Sequence, residues 1–124
     1  MVVVDTSVWV ESVRTGSDRL NEWITSDQIL QHPFVIAEFS MGSFSSPEDR
    51  TRAIDLLESF ELLEVADDSA FHRFVTENRL FGVGIGFADA HLLHACKSRP
   101  GTLLATLDKR LAREAERLSI AMAN

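Results

Sequence analysis

The sequence predicts an α/β sandwich on a mostly parallel sheet. Short apolar runs read as strands at Val2-Val3-Val4, Gln28 to Gln31, Leu62 to Val65 and Leu103 to Ala105. Helix-like segments separate these runs throughout, and strictly alternating strands and helices favour parallel pairing through crossover connections. In such sheets the ligand site lies at the carboxyl ends of the strands. Asp5 directly follows the first run and Asp108 follows the Leu103–Ala105 run by a short turn, so both are expected on one sheet edge.

Taken in order, Val2–Val4 is β-branched and uniformly apolar, as a buried strand requires. Asp5-Thr6-Ser7 supplies capping side chains for a helix over Val8 to Val13. Gly16-Ser17-Asp18 breaks it, and Asp18 to Thr25 places Leu20, Trp23 and Ile24 on one helical face. Gln28 to Gln31 is a short strand. Pro33 opens a helix through Phe44, its missing N–H harmless in a first turn. Ser45-Ser46-Pro47 starts a helix to about Phe60, and Leu62 to Val65 is a strand. Asp67 to Leu80 is amphipathic, Gly82-Val83-Gly84-Ile85-Gly86 is loop, and Phe87 to Lys97 is helix. Leu103–Ala105 is a buried strand, Asp108 to Leu118 a helix, and Ser119 to Met122 a last short strand.

The chain has 124 residues, a length suited to a single domain over 1–124 with a substantial core. Its 45% apolar and 25% charged residues are ordinary for a globular protein. Cys96 is the one cysteine, which excludes an internal disulfide, disfavours a thiolate zinc site and suits a reducing cytoplasm. No apolar run approaches a membrane span, and Met-Val-Val-Val-Asp lacks the basic start of a signal peptide, so a cytoplasmic protein is expected. The formal net charge of −7 opposes a broad basic grip on nucleic acid.

Four acids stand out. Asp5 and Asp108 each follow a strand, where either could simply cap a helix. Glu38 interrupts Phe34-Val35-Ile36-Ala37-Glu38-Phe39, and no Lys or Arg occurs between Arg19 and Arg50 to pair with it locally. A carboxylate among apolar neighbours is costly unless paired or bound to a metal, though Glu38 could instead lie on a solvent face. Asp89 repeats the anomaly in Phe87-Ala88-Asp89-Ala90-His91-Leu92-Leu93, where a first-turn acid could merely favour the helix dipole. Converging, the four would form an oxygen-only, strongly negative pocket suited to Mg²⁺, with Mn²⁺ as a substitute. Crowded carboxylates raise each other's pKa, and a divalent ion relieves the repulsion while activating water and phosphate. Phosphodiester hydrolysis is the chemistry that fits.

Here the sequence resembles the PIN-domain nucleases, and within them the VapC-type toxins of bacterial toxin–antitoxin pairs. The resemblance rests on four stretches in order: Val2-Val3-Val4-Asp5-Thr6-Ser7-Val8-Trp9, His32-Pro33-Phe34-Val35-Ile36-Ala37-Glu38, Gly84-Ile85-Gly86-Phe87-Ala88-Asp89-Ala90-His91-Leu92-Leu93 and Leu104-Ala105-Thr106-Leu107-Asp108-Lys109-Arg110-Leu111. It implies a three-layer α/β/α sandwich, a four-acid Mg²⁺ site and endonucleolytic cutting of RNA. The implied catalytic and metal-binding residues are Asp5, Glu38, Asp89 and Asp108. Thr106 matches a supporting hydroxyl before the last acid, and Thr6 or Ser7 the one after the first. A homodimer and a cognate antitoxin are implied as partners.

Lys109, Arg113 and Arg117 are spaced to share a helix face beside Asp108 and could form a small basic rim, or simply a solvated face balanced by Glu114 and Glu116. The glycines at 82, 84 and 86 lack the spacing of a dinucleotide fingerprint. A receiver-like signalling domain would need paired acids after the first strand, which Asp5-Thr6 lacks. A phosphatase of the haloacid dehalogenase type would need an acid where Ser7 stands. A catalytically silent PIN-like binding module is the remaining alternative.

Overall fold

The computed structural model describes residues 1–122. In chain order it contains β1 (Val2–Val4), α1 (Thr6–Thr15), α2 (Asp18–Thr25), β2 (Ile29–Gln31), α3 (Pro33–Ser40), α4 (Pro47–Glu58), β3 (Glu61–Leu62), α5 (Asp68–Glu77), α6 (Phe87–Ser98), β4 (Leu103–Ala105) and α7 (Lys109–Arg117). The strands form one sheet in the order β3-β2-β1-β4, with every pairing parallel. Val2, Val3 and Val4 are buried, as a central strand covered on both faces must be.

The strand order carries the layering. From β1 to β2 to β3 the chain steps one way along the sheet, and from β3 to β4 it steps back past β1. Right-handed crossovers therefore put α1 to α4 on one face and α5 and α6 on the other, giving three layers. The chain leaves β1 and β4, which are neighbours, toward opposite faces. That topological switch point is where open α/β sheets place their ligands. Asp5 and Asp108 follow those two strands.

Core side chains come from both layers. Leu111 and Ala115 of α7 and Leu118 at its C-cap recur at helical spacing and are buried in one cluster with Leu104 and Ile120. Burial of each such leucine contributes about 1.5–3 kcal/mol.

Four differences from the sequence expectation stand out. α3 stops at Ser40 instead of continuing to Phe44: Met41 and Gly42 donate their N–H groups back to Glu38 and Phe39 and close the last turn. β3 is Glu61–Leu62, shorter and earlier than Leu62–Val65, at the sheet edge where it has one partner strand. The last strand is reduced to a parallel bridge between Leu104 and Ala121. α1 begins at Thr6, because Asp5 itself is its cap.

Candidate active site

The site is built on helix caps. Asp5 Oδ1 accepts from the Thr6 N–H at 2.7 Å at the start of α1. Asp108 Oδ1 accepts from the N–H groups of Arg110 and Leu111 at 2.9 and 3.1 Å at the start of α7. Asp89, in the first turn of α6, accepts from the Gly86 N–H through Oδ2 at 3.4 Å. The capping reading and the clustering reading of these acids are thus both true of the structure. Each helix N-terminus presents its positive dipole end and fixes a carboxylate at the same sheet edge.

One open concavity of about 510 Å³ is lined by Asp5, Glu38, Asp89 and Asp108, together with Thr6, Ser7, Val10, Glu11 and Leu107. The fold therefore brings all four sequence-predicted acids to one surface. Glu11 is a fifth acid that sequence reading passed over. Its signal was helical spacing, since it lies four residues after Ser7 in α1. Glu11 also pairs with Arg14 at 3.3 Å and accepts from the Thr15 hydroxyl. Among the described residues lining the concavity none is cationic.

The supporting hydroxyls differ in what they do. Ser7 Oγ donates to Asp5 Oδ2 at 2.8 Å and accepts from the Leu107 N–H at 3.0 Å. Thr106 Oγ1 donates to the same Oδ2 at 2.7 Å and accepts from the Asp108 N–H at 3.0 Å. Between Thr6 and Ser7, it is Ser7 whose hydroxyl reaches the acid. The Thr6 hydroxyl is buried without a hydrogen-bond partner among the described residues, and Thr6 meets Asp5 through its backbone N–H. Asp5, only 5% exposed, is therefore fixed by three donors.

Electrostatics ties the acids together. Asp89 is held above the usual carboxylate range by desolvation first, then by Asp5, with Asp108 adding and the Gly86 hydrogen bond opposing. Glu38 is raised as well, by desolvation and then by Asp89 and Asp5. The sequence suggested that Glu38 is unusual because apolar residues surround it. In the structure the residue is exposed, and the nearby carboxylates Asp89 and Asp5 add to the partial desolvation of its carboxyl group.

The donor set is all oxygen, which suits a hard divalent cation, and mutual repulsion is what such an ion relieves. In the arrangement described, no three acidic or imidazole groups close on a single point among the described residues. Asp5 is buried and held by three donors, whereas Glu38 and Asp108 are exposed, Asp108 being held through Oδ1 as the cap of α7.

Around this pocket, the Gly82–Gly86 loop packs on α7. Gly84 has φ +86°, a left-handed conformation that favours glycine, and the Arg110 side chain lies 3.0 Å from where a Cβ would sit. Of the expected basic rim, Lys109 and Arg113 are exposed. Arg117 is engaged instead, by the buried Glu114 and by the Asn78 carbonyl. His91 is buried against Phe71 and Phe87, and burial pushes the Cys96 thiol up to about 12, so it stays protonated.

Comparison with known proteins bears on the family and the fold. The PIN domain family matches residues 2–117. Ribonuclease VapC32 from two strains of Mycobacterium tuberculosis is 37% identical over 123 residues, covering 99% of this chain and 97% of the relative. Among solved structures, the crystal structure of PAE2754 from Pyrobaculum aerophilum superposes with a TM-score of 0.67 at 20% identity. That superposition covers 98% of this chain and 87% of the other, a likeness of fold.

Proposed function

The chain belongs to the PIN-domain family, and on that premise we propose that it is a Mg²⁺-dependent endoribonuclease acting as the toxin of a VapC-type toxin–antitoxin pair. The observation that carries the reading is the convergence of Asp5, Glu38, Asp89 and Asp108 on one concavity at the switch point of the sheet. The likeness to a ribonuclease along nearly the whole chain supports RNA as the substrate.

Asp5, Glu38, Asp89 and Asp108 are the groups that would hold the ion, with Mn²⁺ as a substitute. When bound, the ion polarises the phosphodiester and offsets the pocket's negative charge. The chain's own residues do the rest. Ser7 and Thr106 fix Asp5 by donating to Oδ2, which leaves the other lone pairs of the carboxylate directed by geometry rather than by chance. Glu38 and Asp108 stand exposed at the mouth, where an RNA backbone can reach them. Without an ion, five carboxylates would repel a phosphate; in this reading the empty pocket rejects RNA and the loaded one admits it.

A homodimer, inhibition by a cognate antitoxin and a cytoplasmic location belong to the same reading. Among the described residues no helix is long and apolar enough to cross a membrane.

The test is cleavage of pooled cellular RNA by purified protein with Mg²⁺, with EDTA and with Asp89→Asn. Cutting that requires both the metal and Asp89 supports the reading. Cutting that persists in EDTA or in Asp89→Asn overturns the assigned site, and no cutting by folded, antitoxin-free protein overturns the activity.

A further inference from the structure

We propose that Phe87 is a stacking platform for an unpaired nucleobase of the substrate, beside the phosphate that the acid pocket holds. The proposal rests on the ribonuclease reading and deepens it.

Exposure alone would mean little, since exposed apolar residues are common on protein surfaces. Phe87 is 63% exposed, and its distinction is bracing and place. Its ring packs on Phe34 at 5.6 Å, on Phe71 at 5.3 Å and on His91 at 4.7 Å. The stack is extended behind it, because Phe71 lies flat on His91 at 3.9 Å. A ring backed on several sides keeps its outer surface in one orientation, so little rotamer freedom is lost when a ligand stacks on it.

Its place follows from the two helices that carry the acids. Phe87 opens α6 two residues before Asp89, and Gly86 between loop and helix donates to the Asp89 carboxylate. Its neighbour Phe34 lies one turn before Glu38 on the same side of α3. Glu38 and Asp89 both line the acid concavity, and the Phe34–Phe87 ring contact joins the same two helices. The aromatic pair and the carboxylate pair thus bridge the same two helices, α3 and α6.

Charge supplies the reason for such a platform. With a net charge of −7 and a pocket of carboxylates, this chain has few phosphate contacts with which to hold a polyanion. Base stacking is the uncharged alternative, tolerant of sequence because every base has a π-face. It also demands an unpaired base, which selects single-stranded stretches and loops over duplex RNA.

The experiment measures KM and kcat with Mg²⁺ on an unstructured oligoribonucleotide that the wild type cuts, and on the same strand with an abasic nucleotide beside the cut site. The proteins are wild type, Phe87→Ala, Phe87→Leu and Phe87→Trp, each checked for folding and oligomeric state. Phe87→Ala is expected to raise KM about 5- to 150-fold, the range for losing one stacked base. The salt dependence of KM should keep its slope, because no phosphate contact is lost. Phe87→Trp should keep wild-type KM and Phe87→Leu should not. The abasic strand should cost the wild type a similar factor and cost Phe87→Ala almost nothing more, as a shared interaction requires. Additive losses, a leucine variant equal to wild type, or a KM change that tracks loss of a dimer would overturn the stacking. A wild type that cuts and is indifferent to Phe87→Ala would overturn it while leaving the ribonuclease reading standing. A wild type that neither binds nor cuts RNA would overturn both.

Discussion

Thr106 donates to Asp5 Oδ2 at 2.7 Å across 101 residues of sequence, while its oxygen accepts from the backbone N–H of Asp108 at 3.0 Å. One hydroxyl therefore joins the acid that follows β1 to the acid that follows β4. The pairing of those strands, Val4 against Ala105, sets the distance between them. Thr106→Val is expected to lower Mg²⁺-dependent cleavage about 10- to 100-fold, the usual loss when the partner of a metal-binding carboxylate is removed. Stability should fall by about 1–3 kcal/mol, because the buried Asp5 carboxylate loses a hydrogen-bond donor. Thr106→Ser should recover most of both. Steady-state cleavage across a Mg²⁺ titration is the check.

Asp89→Asn should abolish cleavage and raise the Tm of the metal-free protein. Desolvation and the Asp5 charge both disfavour the ionised form of Asp89, so removing its charge removes a cost. The amide oxygen can still accept from the Gly86 N–H. Thermal melts in EDTA give the sign, and a lower Tm than wild type would contradict it. Adding Mg²⁺ should stabilise the wild type, by about 2.7 kcal/mol at a hundredfold excess over Kd, and leave Asp89→Asn nearly unchanged.

Asp5→Asn should move stability the other way. Asp5 accepts from Thr6, Ser7 and Thr106, with two of those donors on one oxygen. An amide offers a single acceptor oxygen and turns an N–H₂ toward donors, so at least one hydroxyl must swing away. A loss of about 1–3 kcal/mol is expected in urea unfolding without metal, together with loss of cleavage. Opposite signs for Asp5→Asn and Asp89→Asn would separate the fixed, fully hydrogen-bonded acid from the strained one.

His32 makes stability depend on pH below neutrality. It is 1% exposed, and its Nδ1 accepts from the Phe34 N–H at 3.0 Å as the cap of α3, which requires the neutral ring. Burial, then His91 and His94, lower its pKa to about 4 from an ordinary 6.5. The unfolded chain thus takes up a proton between pH 6.5 and 4 that the folded chain refuses. Stability from this group is complete above pH 6.5 and declines as pH falls to about 4, by roughly 2–3 kcal/mol in total. Urea unfolding from pH 7.5 to 4.5 should show a shallower decline in His32→Asn, whose side chain can still cap. Equal slopes in the two proteins would remove His32 as the cause.

The sequence by itself determined the order of strands and helices, because that information is local. The Val2–Val4 run, buried throughout in the sheet, is apolar at each position, and Asp5, Ser17, Ser46 and Asp108 announce helix starts by capping chemistry. It also placed four acids at strand ends or in first and second helical turns, since a parallel sheet sends those positions to one edge. Where local signals are weak, the boundaries moved. Gly42, just past the Met41 cap, is the available stop signal for α3 within an otherwise helix-compatible run, and β3 has one partner strand to define its length.

Only the tertiary structure decided how the acids relate. Asp5 and Asp108 meet because β1 pairs with β4, a register no local pattern encodes. Glu38 is perturbed by desolvation first and then by Asp89 and Asp5, which lie far from it in sequence, and it stands exposed where its apolar surroundings suggested burial. Ser7, rather than Thr6, turns its hydroxyl to Asp5 because only the α1 cap geometry fixes which side chain faces the pocket. Spacing along the chain dictates a helix face within a turn or two. Distances between helices depend on sheet order and packing, which are properties of the whole folded chain.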